Sequence, residues 1–164
     1  MPGGNSISGS PDGTHPFTTI AEAVWIGNPD SPGTTVIYLL SKPYPCGAAA
    51  WAKGSGWDTK VPAGTVMLEF KLAAPPPTTF PAVYTVMTTN PALAAPPTAG
   101  NGFAFWNSFT STPAIGETSA SGSNVTLTAM NASTNVTGTF NLMFGANPLT
   151  GSFDAKYCAP AGEP

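Results

Sequence analysis

Apolar and polar residues alternate most regularly between Gly122 and Cys158, where three short runs follow one another. Successive side chains in such a pattern point to opposite faces, which is typical of β-strands. Each run has one apolar face and one face of Thr, Ser and Asn, as expected for antiparallel strands with one side on a core and the other in water. Short links rich in turn-forming residues separate the runs, so we predict a three-stranded meander. The residues predicted to face inward are Val125, Leu127 and Ala129; then Val136, Gly138, Phe140, Leu142 and Phe144; then Leu149, Gly151, Phe153, Ala155 and Tyr157.

Further short runs, separated by Pro- and Gly-rich links, precede the meander. The run at 34–41 is apolar on both faces and predicts a central strand. The run at 64–72 alternates and predicts that Thr65, Met67, Glu69 and Lys71 face water. A helical turn near 48–53 is the one departure from strand that we consider. The predicted strands are 17–27, 34–41, 64–72, 82–89 and 101–109, with a weaker one at 115–119.

Many short strands between Gly/Pro-rich turns indicate an all-β fold of about eight to ten strands with little or no helix. The Pro-rich connections are long, which favours crossings between two packed sheets. We therefore predict an antiparallel β-sandwich, with a barrel as the alternative. The expected organisation is a flexible N-terminal tether at 1–16, one sandwich domain at 17–158 and a C-terminal tail at 159–164.

Composition narrows the classes of partner. Charged residues make up only 8% of the 164 residues, against about 25% in an average soluble protein. The chain has no Arg, five Lys and a net charge of -3, so it lacks the cluster of cations that nucleic-acid binding requires. No apolar run is long enough for a transmembrane helix. Residues 1–4 carry neither the basic nor the apolar region of a signal peptide, and we expect a mature, exported chain.

Cys46 and Cys158 are the two cysteines of the chain. Their wide separation excludes a CxxC redox pair, and two cysteines are too few for a four-cysteine zinc site. In an oxidising compartment they would form one disulfide bond, whereas in a reducing one they would be two buried thiols. A disulfide here would tie the end of the last strand to the loop that follows the strand at 34–41.

The closing hairpin resembles a known group of domains. Gly138-Thr139-Phe140, the run Gly151-Ser152-Phe153-Asp154-Ala155 and Cys158 are similar to the end of small secreted or lipoprotein β-sandwich domains of myxobacterial type. The likeness is strongest over residues 122–158. It implies a secreted or cell-envelope location, a bond between Cys46 and Cys158 and an N-terminal lipid anchor, and it implies no activity.

Aromatic residues supply most of the candidate binding chemistry. Tyr44, Trp51 and Trp57 lie in the irregular region 42–63, and exposed rings of this kind bind sugars by stacking. The alternative is that these rings plug the ends of the sandwich. Trp25 and Trp106 lie within predicted strands, and we expect them in the core.

The carboxylates and the single histidine offer weaker alternatives. His15 with Asp12 supplies only two ligands for a metal ion, and no Gly-x-Ser-x-Gly motif accompanies it. Glu22 and Glu69 would need to face each other across a cleft to act as a glycosidase pair. Asp-rich calcium loops are absent, although Asp30 or Asp58 could contribute to a calcium site. We predict no catalytic residue, no metal ion and no cofactor.

The leading hypothesis is a non-enzymatic binding or adhesion module, secreted or on the outer face of the cell envelope. Its partner would be a surface glycan bound through the loop aromatics, or a neighbouring envelope protein. A structural subunit of a surface layer or extracellular filament is the second hypothesis. A hydrolase with an unrecognised site is the third. Donation of the N-terminal segment to a neighbouring molecule would favour the second.

Overall fold

The structure, a computed structural model, describes residues 4–27, 34–44, 46, 61–73, 79–88, 99–109, 117–131 and 133–158. Every regular element within these residues is a β-strand, which confirms the all-β prediction. The helical turn predicted near 48–53 lies outside the described residues. The strands are β1 (Ser6–Gly9), β2 (Glu22–Gly27), β3 (Thr35–Leu40), β4 (Thr65–Leu72), β5 (Ala82–Val86), β6 (Asn101–Phe109), β7 (Glu117–Ser119), β8 (Ser123–Asn131), β9 (Asn135–Phe144) and β10 (Asn147–Tyr157).

The sheet closes into an eight-stranded β-barrel, so the predicted β-sandwich is wrong. The order around the barrel is β10-β2-β3-β4-β6-β5-β8-β9, and β9 pairs with β10 to complete the ring. Strand β1 adds to β10, and β7 adds to β6. The alternating pattern does not distinguish the two folds, because both bury one face of each strand.

Two short parallel pairings produce the closure. They join the antiparallel array β2-β3-β4-β6 to the antiparallel array β5-β8-β9-β10. One pairs Lys156 and Tyr157 of β10 with Val24 and Trp25 of β2. The other pairs the end of β5 with the start of β6. Each involves two residues per strand and joins strands through contacts that the local pattern does not specify, which is why the sequence did not reveal them.

The predicted meander is confirmed as β8-β9-β10, with one error of facing. A β-bulge between Leu127 and Ala129 gives β8 an extra residue relative to β9. The bulge turns Ala129 to the exposed side, while Met130 packs against the core. Ala129 was predicted to face inward, because strict alternation takes no account of an inserted residue.

Large apolar side chains pack the barrel interior. They include Phe70, whose ring centroid lies 5.5 Å from that of Phe140 and 5.8 Å from that of Phe153. Trp25 and Trp106 are 5% exposed in the same cluster, which confirms that they are core residues. Neither indole N–H has an acceptor among the described residues. The interior is therefore an apolar core.

A second apolar cluster lies outside the barrel wall, against β2, β3 and the start of β4. Burial on both faces confirms β3 as a central strand. It also corrects the prediction that the outer side of β4 faces water, because Thr65, Met67 and Glu69 are buried at 0%, 1% and 7% exposure. The cluster consists of Val24, Ile26, Val36, Tyr38, Leu40, Tyr44, Val61, Met67, Phe109 and Cys158.

The N-terminal region is more ordered than the predicted tether at 1–16. Strand β1 pairs along β10, and Ile7 packs into the barrel core. The predicted strand at 17–27 begins only at Glu22. Phe17 precedes it, is 1% exposed and donates its backbone N–H to Gly9 O at 3.0 Å. Ile7 and Phe17 therefore attach this region to the barrel by burial.

Candidate functional surface

The predicted aromatic site is only partly within the described structure. Tyr44 is 5% exposed in the outer cluster, so its ring packs against the barrel wall and is not an open stacking platform. Burial raises the pKa of its phenol above the ordinary value. Trp51 and Trp57 lie outside the described residues. The proposal that these three residues form a sugar-binding site stays a prediction.

The predicted disulfide bond between Cys46 and Cys158 is confirmed, with an S–S distance of 2.07 Å and a Cα–Cα distance of 5.4 Å. Cys158 is fully buried, and its backbone N–H donates to Trp25 O at 2.9 Å. The bond therefore ties the end of β10 to the segment between β3 and β4. Tyr44 and Val61 of that segment pack on the outer cluster.

Asp12 and His15 form a polar cluster at the barrel end where β10 begins. The Asp12 carboxylate contacts His15 Nδ1 at 2.5 Å and accepts the backbone N–H groups of Thr14 and His15 at 2.9 and 2.7 Å. Burial opposes ionisation of Asp12, but these hydrogen bonds outweigh it and hold its pKa well below the ordinary value. The His15 ring lies 6.4 Å from that of Trp106. The cluster organises a turn over the core.

This arrangement supplies neither a triad nor a metal site. The Ser10 hydroxyl is bonded to Asp12 Oδ1 and the His15 carbonyl oxygen. The Thr14 hydroxyl lies 3.1 Å from His15 Nδ1, the same ring nitrogen that Asp12 contacts, whereas a triad uses both ring nitrogens. No group of three or more His, Cys, Asp or Glu residues suited to a metal ion occurs in the described part of the chain. Asp30 and Asp58 lie outside it.

Glu22 and Glu69 both point away from the barrel interior but do not face each other. They lie on β2 and β4, on either side of β3, opposite Leu40 and Tyr38 respectively. Ideal sheet spacings place their Cα atoms about 12 Å apart, with β3 between them. Glu69 instead lies 3.4 Å from Lys71 Nζ.

Around Glu69, the buried side chains form a structural cluster. Lys71 Nζ lies 5.0 Å above the Phe105 ring, in cation–π geometry. Burial, and then the charge of Glu69, raise the pKa of Tyr38 well above its ordinary value. The nearby Lys71 ammonium stabilises the Glu69 carboxylate, which the sequence pattern predicted to face water.

A regular polar surface lies on the other side of the barrel, where β5, β8, β9, β10 and β1 lie side by side. Their outward-facing residues align in two rows that cross five strands. Inward-facing neighbours such as Val125, Phe140 and Leu149 are buried, which confirms the facing. We call this surface the hydroxyl face; its rows are Thr85-Asn124-Asn141-Thr150-Ser8 and Val83-Thr126-Thr139-Ser152-Ser6.

No member of the hydroxyl face is charged. The nearest charged side chains on β10 are Asp154 and Lys156, beyond the second row, and Asp154 accepts a hydrogen bond from Asn135 Nδ2 at 2.8 Å. Most of the face is exposed. Six of these side chains make no hydrogen bond to another described residue of the protein. They are Thr85, Asn124, Asn141 and Thr150 of the first row and Thr126 and Thr139 of the second. The face therefore presents uncommitted, uncharged donors and acceptors.

Serine hydroxyls bind the N-terminal segment to this face. Ser152 Oγ donates to Gly4 O at 2.8 Å and lies 2.8 Å from Ser6 Oγ. Because Ser152 has one hydroxyl hydrogen, Ser6 donates to Ser152 in this pair. Asn5 Oδ1 accepts the Asp154 backbone N–H at 2.8 Å. Strand β1 is thus paired with its own chain, so the structure does not show the donation to a neighbour that would favour the filament hypothesis.

At the β5 end, the hydroxyl face begins with an exposed apolar side chain. Val83, the first member of the second row, is 57% exposed. Phe80, three residues earlier, is 36% exposed. They are the exposed large hydrophobic residues of the described structure. Val83 therefore lies directly opposite Thr126, and an apolar group adjoins a hydroxyl at this edge of the face.

Neither a family model nor a curated protein nor a solved structure matches this chain. The likeness of residues 122–158 to myxobacterial lipoprotein domains therefore stays a prediction. The described residues include no helix with the length and apolarity needed to cross a membrane. The sequence pattern indicated the polar sides of the strands. It did not indicate that strands distant along the chain would align them into rows.

Proposed function

We propose that this protein is a non-enzymatic binding or adhesion module that works outside the cytosol and holds a neutral polysaccharide on its hydroxyl face. The observation that supports this most is the pair of uncharged rows crossing five strands. Thr and Ser hydroxyls donate and accept hydrogen bonds, and Asn amides do both through separate atoms. The hydroxyls of a sugar have the same dual character, so the two surfaces complement each other.

The absence of charge on the hydroxyl face predicts that the ligand is neutral. An ionic ligand would lose hydration without gaining an opposite charge, because the face holds neither Lys nor a carboxylate. Single neutral hydrogen bonds contribute only about 0.5–1.5 kcal/mol each. Useful affinity therefore requires many of them at once, which favours a polymer over a small ligand. Binding should be nearly independent of salt concentration.

The proposed location is supported by the Cys46–Cys158 bond, because disulfides persist mainly in oxidising compartments. The low charge of the chain suits an exported β-protein. A place on the outer face of the cell envelope, with a lipid anchor as the resemblance implies, belongs to the same proposal. A neighbouring envelope protein is the alternative partner.

Retention on insoluble polysaccharides tests the proposal. The purified protein is mixed with cellulose, chitin, xylan or mannan, and the bound fraction is measured after sedimentation. The Thr139→Glu substitution places a charge in the middle of the face. The matched control is Thr18→Glu, because Thr18 is an exposed threonine outside the two rows.

We expect retention on at least one polysaccharide, and a loss of about tenfold or more in affinity with Thr139→Glu. The control should bind like the unmodified protein, and all three proteins should show the same thermal unfolding transition. Equal loss in both variants would show that the added charge acts without regard to position. Failure of the unmodified protein to bind any of the four polysaccharides would refute the proposal.

A further inference from the structure

The two ends of the second row of the hydroxyl face differ, because exposed Val83 is at the β5 end and serines are at the β1 end. Val83 is opposite Thr126, and the same row continues through Thr139 and Ser152 to Ser6. The row therefore begins with an exposed apolar side chain and continues as hydroxyls. Phe80 is on the segment that leads into β5. From this order we infer that the ligand is an extended neutral glycan chain that crosses the strands along the row, with a sugar ring packed on the Phe80–Val83 edge.

The inference rests on the proposed function and adds the ligand's length, its course and an apolar contact. Sugar rings carry apolar C–H groups on their faces and hydroxyls around their edges. They bind well where aromatic or aliphatic side chains adjoin a few polar groups. Val83 and Phe80 are 57% and 36% exposed, which leaves apolar surface for such a ring.

Sheet geometry sets the length of the chain. Neighbouring strands lie about 4.8 Å apart, so a row that crosses five strands is about 19 Å long, measured along the curved barrel wall. The two rows are separated by about 7 Å, twice the rise per residue. A monosaccharide would contact only one end of such a row. A linear oligosaccharide of several sugars can contact the apolar edge and the central hydroxyls together, so affinity should increase with chain length.

Two alternative occupants follow from the same exposed residues. A second copy of this chain could cover the apolar edge, or a protein partner could do so. The absence of charge along the rows and the hydroxyls beyond Val83 favour a glycan, because the hydroxyls would remain unpaired against an apolar partner surface.

The experiment uses cello-oligosaccharides and xylo-oligosaccharides from the disaccharide to the hexasaccharide, with affinities measured by calorimetry. The variants are Phe80→Ala, Phe80→Trp and Val83→Thr, the last of which preserves shape while replacing a methyl group by a hydroxyl. Thr18→Ala serves as a control outside the face. Sedimentation velocity on each protein reports self-association, and thermal unfolding reports the fold.

We expect affinity to increase steadily up to the longest oligosaccharides, and Phe80→Ala to reduce it by about tenfold. Val83→Thr should give a smaller loss, and Phe80→Trp should retain binding. Binding that is independent of both chain length and the Phe80 variants would refute this inference and leave the proposed function standing. Failure of all the oligosaccharides, together with the four insoluble polysaccharides, would refute both. Self-association that Phe80→Ala abolishes would assign the edge to a second copy and also refute the inference.

Discussion

Gly138 provides the most direct test of how the barrel is packed. It lies on β9 opposite Phe153 of β10. A Cβ atom added there would lie 2.5 Å from Thr126 O and 2.6 Å from Phe153 Cζ. The phenyl ring has some freedom to shift, but the carbonyl belongs to the backbone of β8, which is paired with β9. Gly138→Ala must therefore displace a strand or distort a pair.

The expected magnitude follows from two opposing effects. Overpacking of a core usually destabilises a protein by about 1–3 kcal/mol, and a backbone contact favours the upper end of that range. Replacing Gly by Ala also reduces the entropy of the unfolded chain, which offsets about 0.4–1 kcal/mol. We therefore expect Gly138→Ala to lower the free energy of unfolding by about 2 kcal/mol. This should shift the midpoint of urea unfolding by about 1 M.

Gly27→Ala is the matched control, because an added Cβ at Gly27 meets nothing within 4 Å. Its effect should be within about 0.5 kcal/mol of zero. A second variant separates the two contacts at Gly138. Phe153→Leu removes the ring tip but leaves Thr126 O in place, so adding Gly138→Ala to this background should still destabilise the protein. A Gly138→Ala protein that unfolds at the urea concentration of the unmodified protein would refute this account of the packing.

Three other predictions concern the N-terminal strand, the disulfide and the tyrosines. Gly151→Ala should weaken the pairing of β1 with β10, because the added Cβ would overlap the Ser6 carbonyl oxygen. Amide hydrogen exchange in β1 should therefore become faster. Unchanged protection of the β1 amides would contradict the pairing. Replacing Cys46 and Cys158 by Ala opens a loop with a sequence separation of 112 and should lower the free energy of unfolding by about 4–5 kcal/mol in guanidinium chloride. Alkylation of both cysteines without a reductant, seen by intact mass, would contradict the bond. Burial and the charge of Glu69 raise the folded-state pKa of Tyr38 above the unfolded value of about 10. Above that pH the unfolded state therefore binds fewer protons than the folded state, and the free energy of unfolding falls as the pH rises. Urea unfolding measured up to about pH 11 should show this decline, and constant stability would contradict it.

Local pattern was sufficient to predict the strands of the closing meander. In β9, Val136, Phe140 and Leu142 alternate with Thr and Asn, and they are buried as predicted. The same rule failed for Ala129, because a bulge depends on the pairing of two strands and not on either strand alone. It also failed for Glu69. A residue that faces away from the barrel interior meets water only if nothing else covers that side of the sheet.

The N-terminal region shows a different limit. Residues 1–16 are rich in Gly, Ser, Pro and Asn, which is typical of a flexible segment. Ile7 is the single apolar residue between 3 and 16, and it packs in the barrel core. The cross-strand bonds that position it come from Ser152 and Asp154. Burial of Ile7 and hydrogen bonds to residues distant in sequence determine β1, and amino-acid composition predicts neither.

The candidate surface depends on strand pairings other than the two that close the barrel, chiefly those of β5 with β8 and of β1 with β10. The closed ring pairs both edges of its own eight strands, whereas β1 and β7 are added outside it. The apolar interior directs polar chemistry to the outer wall. On one side of that wall, a second apolar cluster covers β2, β3 and β4. On the other side, β5 pairs with β8 in the register that joins Val83 to Thr126. A shift of β5 by one residue would turn Val83 inward and remove the apolar edge from the row, because neighbouring residues point to opposite faces.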